Sequence, residues 1–232
     1  MTVTSTERRL IIAIDGPSGA GKSTLTKMLA ERLGYIYVDT GAMFRAIALC
    51  VSRSGIDPTN DTALAELCNE IDLRFARDNG EYRIICNGED VSAAIRTPEI
   101  SLLTSRVSAR KVVRDHLLLL QRKMGAQGGV ILEGRDIGTV VFPGADLKIF
   151  LSASPEERGR RRFLELKAKG ELVSLEETIA AVIQRDRQDE EREHAPLRKA
   201  DDAIEIDSST MGIEEVLNRL VAIASEKVRQ LR

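Results

Sequence analysis

Residues Gly16-Pro17-Ser18-Gly19-Ala20-Gly21-Lys22-Ser23 fit the pattern G-x-x-x-x-G-K-[ST], and their neighbours give the pattern its meaning. An apolar run, Leu10 to Ile14, precedes them as a strand. Leu25, Met28, Leu29 and Leu33 follow at helical spacing. A glycine-rich turn from strand into helix wraps a chain of phosphates in backbone N–H groups, and the positive end of the helix dipole adds to the grip. In such a loop Gly16, Pro17, Ser18, Gly19, Ala20 and Gly21 surround the phosphates and Lys22 reaches the β- and γ-phosphates. The Ser23 hydroxyl ligates Mg²⁺, with Thr24 beside it at the helix start. The loop predicts a nucleotide site and leaves the fate of the phosphates open.

Working outward, short apolar strands alternate with amphipathic helices at both ends of the chain. Strands are expected at Leu10–Asp15, Tyr35–Val38, Val130–Leu132, Leu147–Leu151 and Ala203–Ile206. Helices are expected at Lys22–Leu33, Ala42–Arg53, Val112–Met124, Pro155–Lys169, Leu175–Glu193 and Gly212–Leu231. In the last helix Ile213, Val216, Leu217, Leu220, Val221, Ala224, Val228 and Leu231 fall on one face. This rhythm predicts an α/β fold: a three-layer domain with a central parallel sheet and helices on both faces. Between about Asp57 and Ile100 it breaks. A short helix and two alternating segments, Leu73–Ala76 and Tyr82–Cys86, flank the turn signal Asp78-Asn79-Gly80, and a third short strand is expected at Glu89–Val91. That stretch reads as a small inserted antiparallel β unit, 57–100, in a core formed by 1–56 and 101–232. An insert without a large core of its own serves as a lid or a substrate grip.

Composition narrows the function. The 232 residues carry a net charge of −2, which gives no bulk attraction for nucleic acid. Aromatic residues make up 3% and Trp is absent, which argues against base-stacking platforms. Cys50, Cys68 and Cys86 are odd in number and widely spaced, as expected of buried reduced thiols in a cytoplasmic protein. Met1 to Arg9 is polar, without the apolar core of a signal peptide, and no apolar run has membrane-spanning length.

Two further loops follow strands. Val130 to Asp136 is a buried strand ending in Glu133, Gly134, Arg135 and Asp136, at the end where α/β sheets bind ligands. Glu133 stands where a phosphate-loop enzyme keeps its second acidic group, which meets Mg²⁺ directly or through water; a solvated turn with an Arg–Asp pair is the alternative. Asp39-Thr40-Gly41-Ala42-Met43-Phe44-Arg45 opens a helix that Thr40 can cap, with Arg45 in its first turns, and reads equally as a helix cap with a surface arginine. Arg158, Arg160, Arg161 and Arg162 share one helix, and Arg185, Arg187 and Arg192 another. Either run fits a solvated face, but Arg185, Asp189 and Arg192, spaced by four and three, form a compact positive–negative–positive surface suited to phosphates and a ribose diol.

Arginines of this density suit a reaction between two phosphates. Two unit charges about 4 Å apart repel by about 4 kcal/mol at an effective dielectric near 20, and guanidinium groups bind phosphate bidentately without losing their charge. A phosphate acceptor, with a second pKa of about 6, needs no strong base. Only two histidines are present, His116 and His194, and neither lies in a candidate loop. A nucleotide kinase fits better than a hydrolase or an alcohol kinase. A GTP-binding switch would carry N-K-x-D, which is absent; a nucleotide-sensing DNA or RNA regulator is disfavoured by the balanced charge.

From about Leu10 to the C-terminal helix the chain resembles the bacterial cytidylate kinases. The likeness rests on Ile14 to Ser23, Asp39-Thr40-Gly41, Gly88-Glu89-Asp90-Val91-Ser92 with Ile95-Arg96-Thr97, Glu133 through Pro143, and Arg185-Asp186 through Arg192. It implies transfer of the ATP γ-phosphate to CMP or dCMP with Mg²⁺, in a cytoplasmic monomer acting on small molecules and on neither nucleic acid nor membrane. It also implies that Ser105, Arg114 and Asp136 read the cytosine. Arg45, Arg135 and Arg192 hold the acceptor phosphate beside Thr40, Asp189 meets the ribose, Arg185 lies near the transferring group and Arg161 on the ATP side. The catalytic cations are then Lys22, Arg135, Arg185 and Arg192. The insert corresponds to the monophosphate-binding subdomain and about 155–192 to the lid. Glu133 stands where some relatives have Asp, and Thr40 where some have Ser. A kinase for UMP, AMP or a non-nucleotide acid on the same frame is the nearest rival reading.

Overall fold

The computed structural model describes residues 9–78 and 80–231; residues 1–8 and Asn79, on which the leader and part of the turn expectations fall, lie outside the described residues. By its internal contacts the chain forms two compact units, 1–37 with 125–232, and 38–124.

The larger unit is built on strand β1 (Ile11–Asp15), whose residues Ile12, Ala13 and Ile14 are fully buried. It runs between β6 (Val130–Gly134) and β7 (Leu147–Ser152), parallel to both, and β7 pairs in parallel with β8 (Ile204–Asp207). With β2 (Ile36–Asp39) the sheet order is β2-β6-β1-β7-β8, and helices cover both faces. Near-continuous burial of β1 and β6 is the pattern of strands covered on both sides. Helix α1 spans Lys22–Leu33, as its apolar spacing predicts, and ends on Gly34, whose φ of 63° is the usual left-handed helix stop.

The last helix, α8 (Ile213–Gln230), packs on α1. Val216, Leu217, Leu220 and Ala224 are buried, but Ile213 is 56% exposed and Leu231 37%, so the expected eight-residue apolar face holds only in its middle. The reason is length: 18 residues of α8, about 27 Å, overhang 12 residues of α1, about 18 Å. Helices α6 (Pro155–Ala168) and α7 (Leu175–Glu191) form an antiparallel hairpin. Ser174 and Glu177 close a reciprocal capping box at the start of α7.

In the smaller unit, β3 (Leu73–Asp78) and β4 (Glu81–Cys86) pair antiparallel from Leu73↔Cys86 to Asp78↔Glu81, and β4 pairs with the two-residue β5 (Glu89–Asp90). The compact unit reaches beyond 57–100 on both sides. Strand β3 buries only Leu73, and β4 only Ile84 and Cys86, too little apolar surface for a free-standing module. They are completed by α2 (Thr40–Ser54), α3 (Asp61–Glu70), α4 (Pro98–Ser108) and α5 (Lys111–Gly125, whose last residue belongs to the larger unit). Helix α4 is absent from the pattern-based reading. It starts with Thr97 accepting from the Ile100 N–H and Pro98 in the first turn.

Candidate functional site

Every segment that carries the larger unit's candidate residues leaves the carboxyl end of a strand or lies on the helices that follow: Gly16–Ser23 after β1, Arg135–Val141 after β6, α6 after β7, Ser208 after β8. Gly16 has φ 150°, and a Cβ there would lie 2.0 Å from the Leu151 carbonyl oxygen of β7, so only glycine fits. Gly21 caps α1 with no side chain to occupy the first-turn N–H groups, which a phosphate-binding helix start needs. Ser23 and Thr24 are exposed at that start.

Lys22 is 6% exposed and donates to the carbonyl oxygens of Gly16 at 2.8 Å and Pro17 at 2.7 Å. Burial pushes its pKa down to about 7, and the charge of Arg135 adds to this, while Glu133, Asp15 and Asp189 oppose it. A phosphate placed at this loop favours the ammonium form. Glu133, 3% exposed, accepts from the Tyr37 hydroxyl.

Asp15, unremarked in the pattern, organises the second loop. Its carboxylate accepts from the Ile137 N–H at 2.8 Å and the Gly138 N–H at 2.7 Å, pinning a π-helical turn, Ile137–Val141, that opens on Asp136. Burial raises its pKa to about 6. The N–H groups of Gly138 and Ile137 oppose the shift, Asp136 adds to it, and Lys22 opposes it. The native state therefore holds the Asp15 proton more tightly than the unfolded chain does. The stability this confers is full below about pH 4 and is lost as pH rises to about 6, by about 3 kcal/mol. Asp15→Asn should lack this slope in urea-unfolding curves; identical pH dependence in both proteins would remove Asp15 as the cause.

At the end of α7 the expected positive–negative–positive surface forms, with a correction. The helix stops at Glu191, so Arg192 is its C-cap, with extended backbone, and not a third residue on the helical face. There its Nε donates to the Ala195 carbonyl at 2.6 Å, and its guanidinium lies 3.6 Å from Asp136 Oδ1 and 3.8 Å from Asp189 Oδ1. Arg135 Nε donates to Asp189 Oδ2 at 2.8 Å. Burial pushes the Asp189 carboxyl up, but Arg135, then Arg185 and Arg192, outweigh it and hold it below the usual carboxylate range. The structure thus brings Lys22, Glu133, Arg135, Asp136, Arg185, Asp189 and Arg192 into one charge network.

Arg158 and Ser208 are further residues packed on the phosphate loop that the pattern gave no site role. Arg158, 3% exposed, forms a bidentate pair with Asp186 of α7 at 2.9 and 2.6 Å, and also donates to the carbonyls of Ser18 and Ala153. Ser208 donates within 3.3 Å of the Ala20 carbonyl and receives Arg161 on its own carbonyl at 2.7 Å, placing Arg161 beside the loop at Gly21. A serine just past a strand's carboxyl end was the available signal for Ser208; an arginine among four in one helix gave none for Arg158.

The smaller unit carries the other candidates. Asp39, not Thr40, caps α2: its extended backbone aims Oδ1 at the Ala42 N–H, 2.8 Å away, and Thr40 is already the first helical residue. Asp39 Oδ2 also holds Arg45 at 3.0 Å. Arg114 lies over the Phe44 ring, 5.2 Å from its centroid, and donates to the Ser108 carbonyl at 3.1 Å. Ser105 sits one turn before that carbonyl on α4.

A family profile described as cytidylate kinase matches residues 12–226. The cytidylate kinase of Geobacter sulfurreducens is 68% identical over 222 residues, covering 96% of this chain and 95% of that protein. The cytidylate kinase of Caldicellulosiruptor bescii is 47% identical, covering 96% and 98%. Among solved structures, an uncharacterized protein from Eubacterium ventriosum aligns with TM-score 0.50 at 12% identity over 94% of this chain and 99% of its own, a likeness of fold alone. No helix among the described residues is long and apolar enough to cross a membrane. Matched by the family profile over residues 12–226 and by a 68%-identical cytidylate kinase along nearly its full length, the chain belongs to the cytidylate kinase family.

Proposed function

We propose that the chain carries out the family's reaction, transfer of the ATP γ-phosphate to CMP or dCMP to give CDP or dCDP and ADP, with the residues of the two units in the following roles. The loop Gly16–Ser23, with Thr24 and Arg161, takes ATP. Lys22 exchanges the Gly16 and Pro17 carbonyls for the β- and γ-phosphates. Arg135 and Arg192, with Arg45 and Thr40 of the smaller unit, take the acceptor phosphate, and Arg185 faces the transferring group. Asp189 takes the ribose, and Ser105, Arg114 and Asp136 read cytosine: a carboxylate accepts from the exocyclic amine that uracil lacks. Segment 57–100 serves as the monophosphate grip and 155–192 as the lid of a cytoplasmic monomer that acts on small molecules.

The observation that carries this reading is the concentration of guanidinium charge around one buried lysine in the charge network of the larger unit. Such a network offsets the repulsion between donor and acceptor phosphates and excludes no dianionic acceptor for want of a base. The exposed Ser23 hydroxyl and the Glu133 carboxylate, whose charge is felt at Lys22, are hard oxygen donors that fit Mg²⁺. Ser23 would hold the ion directly and Glu133 through water, with phosphate and water supplying its other ligands. When bound it neutralises charge on the β- and γ-phosphate oxygens.

Titrating CMP, dCMP, UMP and AMP with ATP in an ADP-release assay tests the reading. CMP and dCMP should turn over with kcat/KM about tenfold or more above the others; equal use of UMP or AMP overturns the base assignment. Arg192→Ala or Arg135→Ala should cost about 1.5–3 kcal/mol, the worth of a charged hydrogen bond, in kcat/KM for CMP. ATP affinity should change little; equal losses for both nucleotides would place these arginines on the donor side or in folding.

A further inference from the structure

Helix α2 and strand β4 meet through two sulfur atoms. Cys50 Sγ lies 3.5 Å from Cys86 Sγ, close enough for a thiol–thiol hydrogen bond. Cys50 is half-buried and Cys86 is 4% exposed, so a reagent from solvent meets Cys50 first. Three residues on, Arg53 makes a bidentate pair with Glu89 of β5 at 2.6 and 2.8 Å, holding the same end of α2 against the same sheet. The third thiol, Cys68 of α3, is 1% exposed.

We propose that Cys50 and Cys86 are a two-electron redox pair, which a hydroperoxide converts into a disulfide fastening α2 to β4. The Cys50 thiolate attacks the peroxide: an S–O bond forms, the O–O bond breaks and the second oxygen leaves as water after taking up a proton. Cys86 then loses its proton and attacks the sulfenic sulfur, forming S–S and releasing the oxygen as a second water. The two thiols lose two electrons, and hydrogen peroxide gains them. A dithiol reverses the reaction by exchange through Cys50. Closing from 3.5 Å to the disulfide length of about 2.05 Å needs an approach of about 1.5 Å.

The division of labour between the sulfurs follows from their surroundings. With Cys86 as the hydrogen-bond donor, the thiol pair lowers the Cys50 pKa; burial opposes this, Arg53 assists and Glu89 opposes. The same hydrogen bond, then burial, pushes Cys86 up. Burial, aided by the nearby Cys50, raises Cys68 to about 11, leaving it almost wholly protonated at neutral pH. The pair therefore has a nucleophile, a resolving thiol next to it and a bystander. Disulfides in a reducing compartment are of this transient, sensing kind.

The test uses the folded full chain and hydrogen peroxide, and reads covalent chemistry, so it stands apart from the assignment of the substrate. Titratable thiols should fall from three to one and intact mass by about 2 Da per chain, and peptides bearing Cys50 and Cys86 should be linked, all reversed by dithiothreitol. In Cys86→Ser, dimedone should trap Cys50 as sulfenic acid; in Cys50→Ser, neither remaining thiol should react at a comparable rate; Cys68→Ser should cross-link like the wild type. Three thiols retained by the wild type, links between chains, or Cys68 oxidised as fast as Cys50 would each overturn the proposal.

Discussion

Replacing Lys22 with alanine should lower kcat by roughly a hundredfold or more, the cost of losing a strong electrostatic stabiliser of the transferring phosphoryl group. The ammonium is held by two carbonyls of its own loop and surrounded by Glu133, Asp15, Asp189 and Arg135. It is thus held in the loop before a nucleotide arrives, exchanges those carbonyls for phosphate on binding, and then needs little further reorganisation as charge shifts toward the leaving oxygen. Lys22→Arg should recover little, because a planar fork does not fit where a compact ammonium bridges Gly16 and Pro17. Single-turnover measurements on protein with an unchanged circular dichroism spectrum check this; near-normal turnover in Lys22→Ala would remove the lysine from the mechanism.

Replacing Arg158 with alanine destabilises the fold by about 3–5 kcal/mol, the cost of breaking a buried ion pair and leaving one partner charged. Asp186 is only 14% exposed in its side chain, and Arg158 also satisfies the Ser18 and Ala153 carbonyls. Arg158→Lys should recover only part of this, since one ammonium cannot span four acceptors on three segments. The double change Arg158→Met with Asp186→Leu should be far milder than either single change, because no lone charge stays buried. Urea unfolding of the four proteins gives the coupling energy directly, and a single-variant cost under about 1 kcal/mol would show the pair to be solvated in practice.

Much of this was legible before any coordinates. The phosphate loop, the parallel sheet and the strand-end arginine and aspartate followed from local pattern, because continuous apolar runs and glycine-rich turns record burial and backbone shape directly. What the pattern missed are groups whose meaning depends on partners far along the chain. Asp15 acts on N–H groups over a hundred residues away, Arg158 on Ser18 and Asp186, and Asp39 on Arg45. The π-helical turn Ile137–Val141 has no recurring apolar spacing to betray it; it exists because Asp15 holds its first two N–H groups. The end of α7 was misjudged by two residues, since charged residues continue past Glu191 while the backbone turns extended at Arg192. Helix α4 had a clear start in Thr97 and Pro98, but a weak apolar stripe, with Leu102 74% exposed, obscured its body.

The hairpin of α6 and α7 has its buried ion pair near its base. There Arg158 grips Asp186, and toward the connecting loop a Cβ on Gly159 would lie 2.4 Å from Ile179, so the helices touch without room to slide. Toward its tip Leu164 is half-exposed and Leu172 wholly so. Were segment 155–192 to move as the proposed lid, this hairpin would act as a lever arm with its fulcrum beside the phosphate loop. From Arg158 to Ala168 α6 extends about 15 Å, so a swing of about 10° about Arg158 would carry the tip about 3 Å. Arg185, Asp189 and Arg192 lie at the fulcrum end of α7, and Arg162, Lys167 and Lys169 lie at the other end of α6. In such a motion the cations nearest the fulcrum would keep their place beside the loop, and those at the tip would swing.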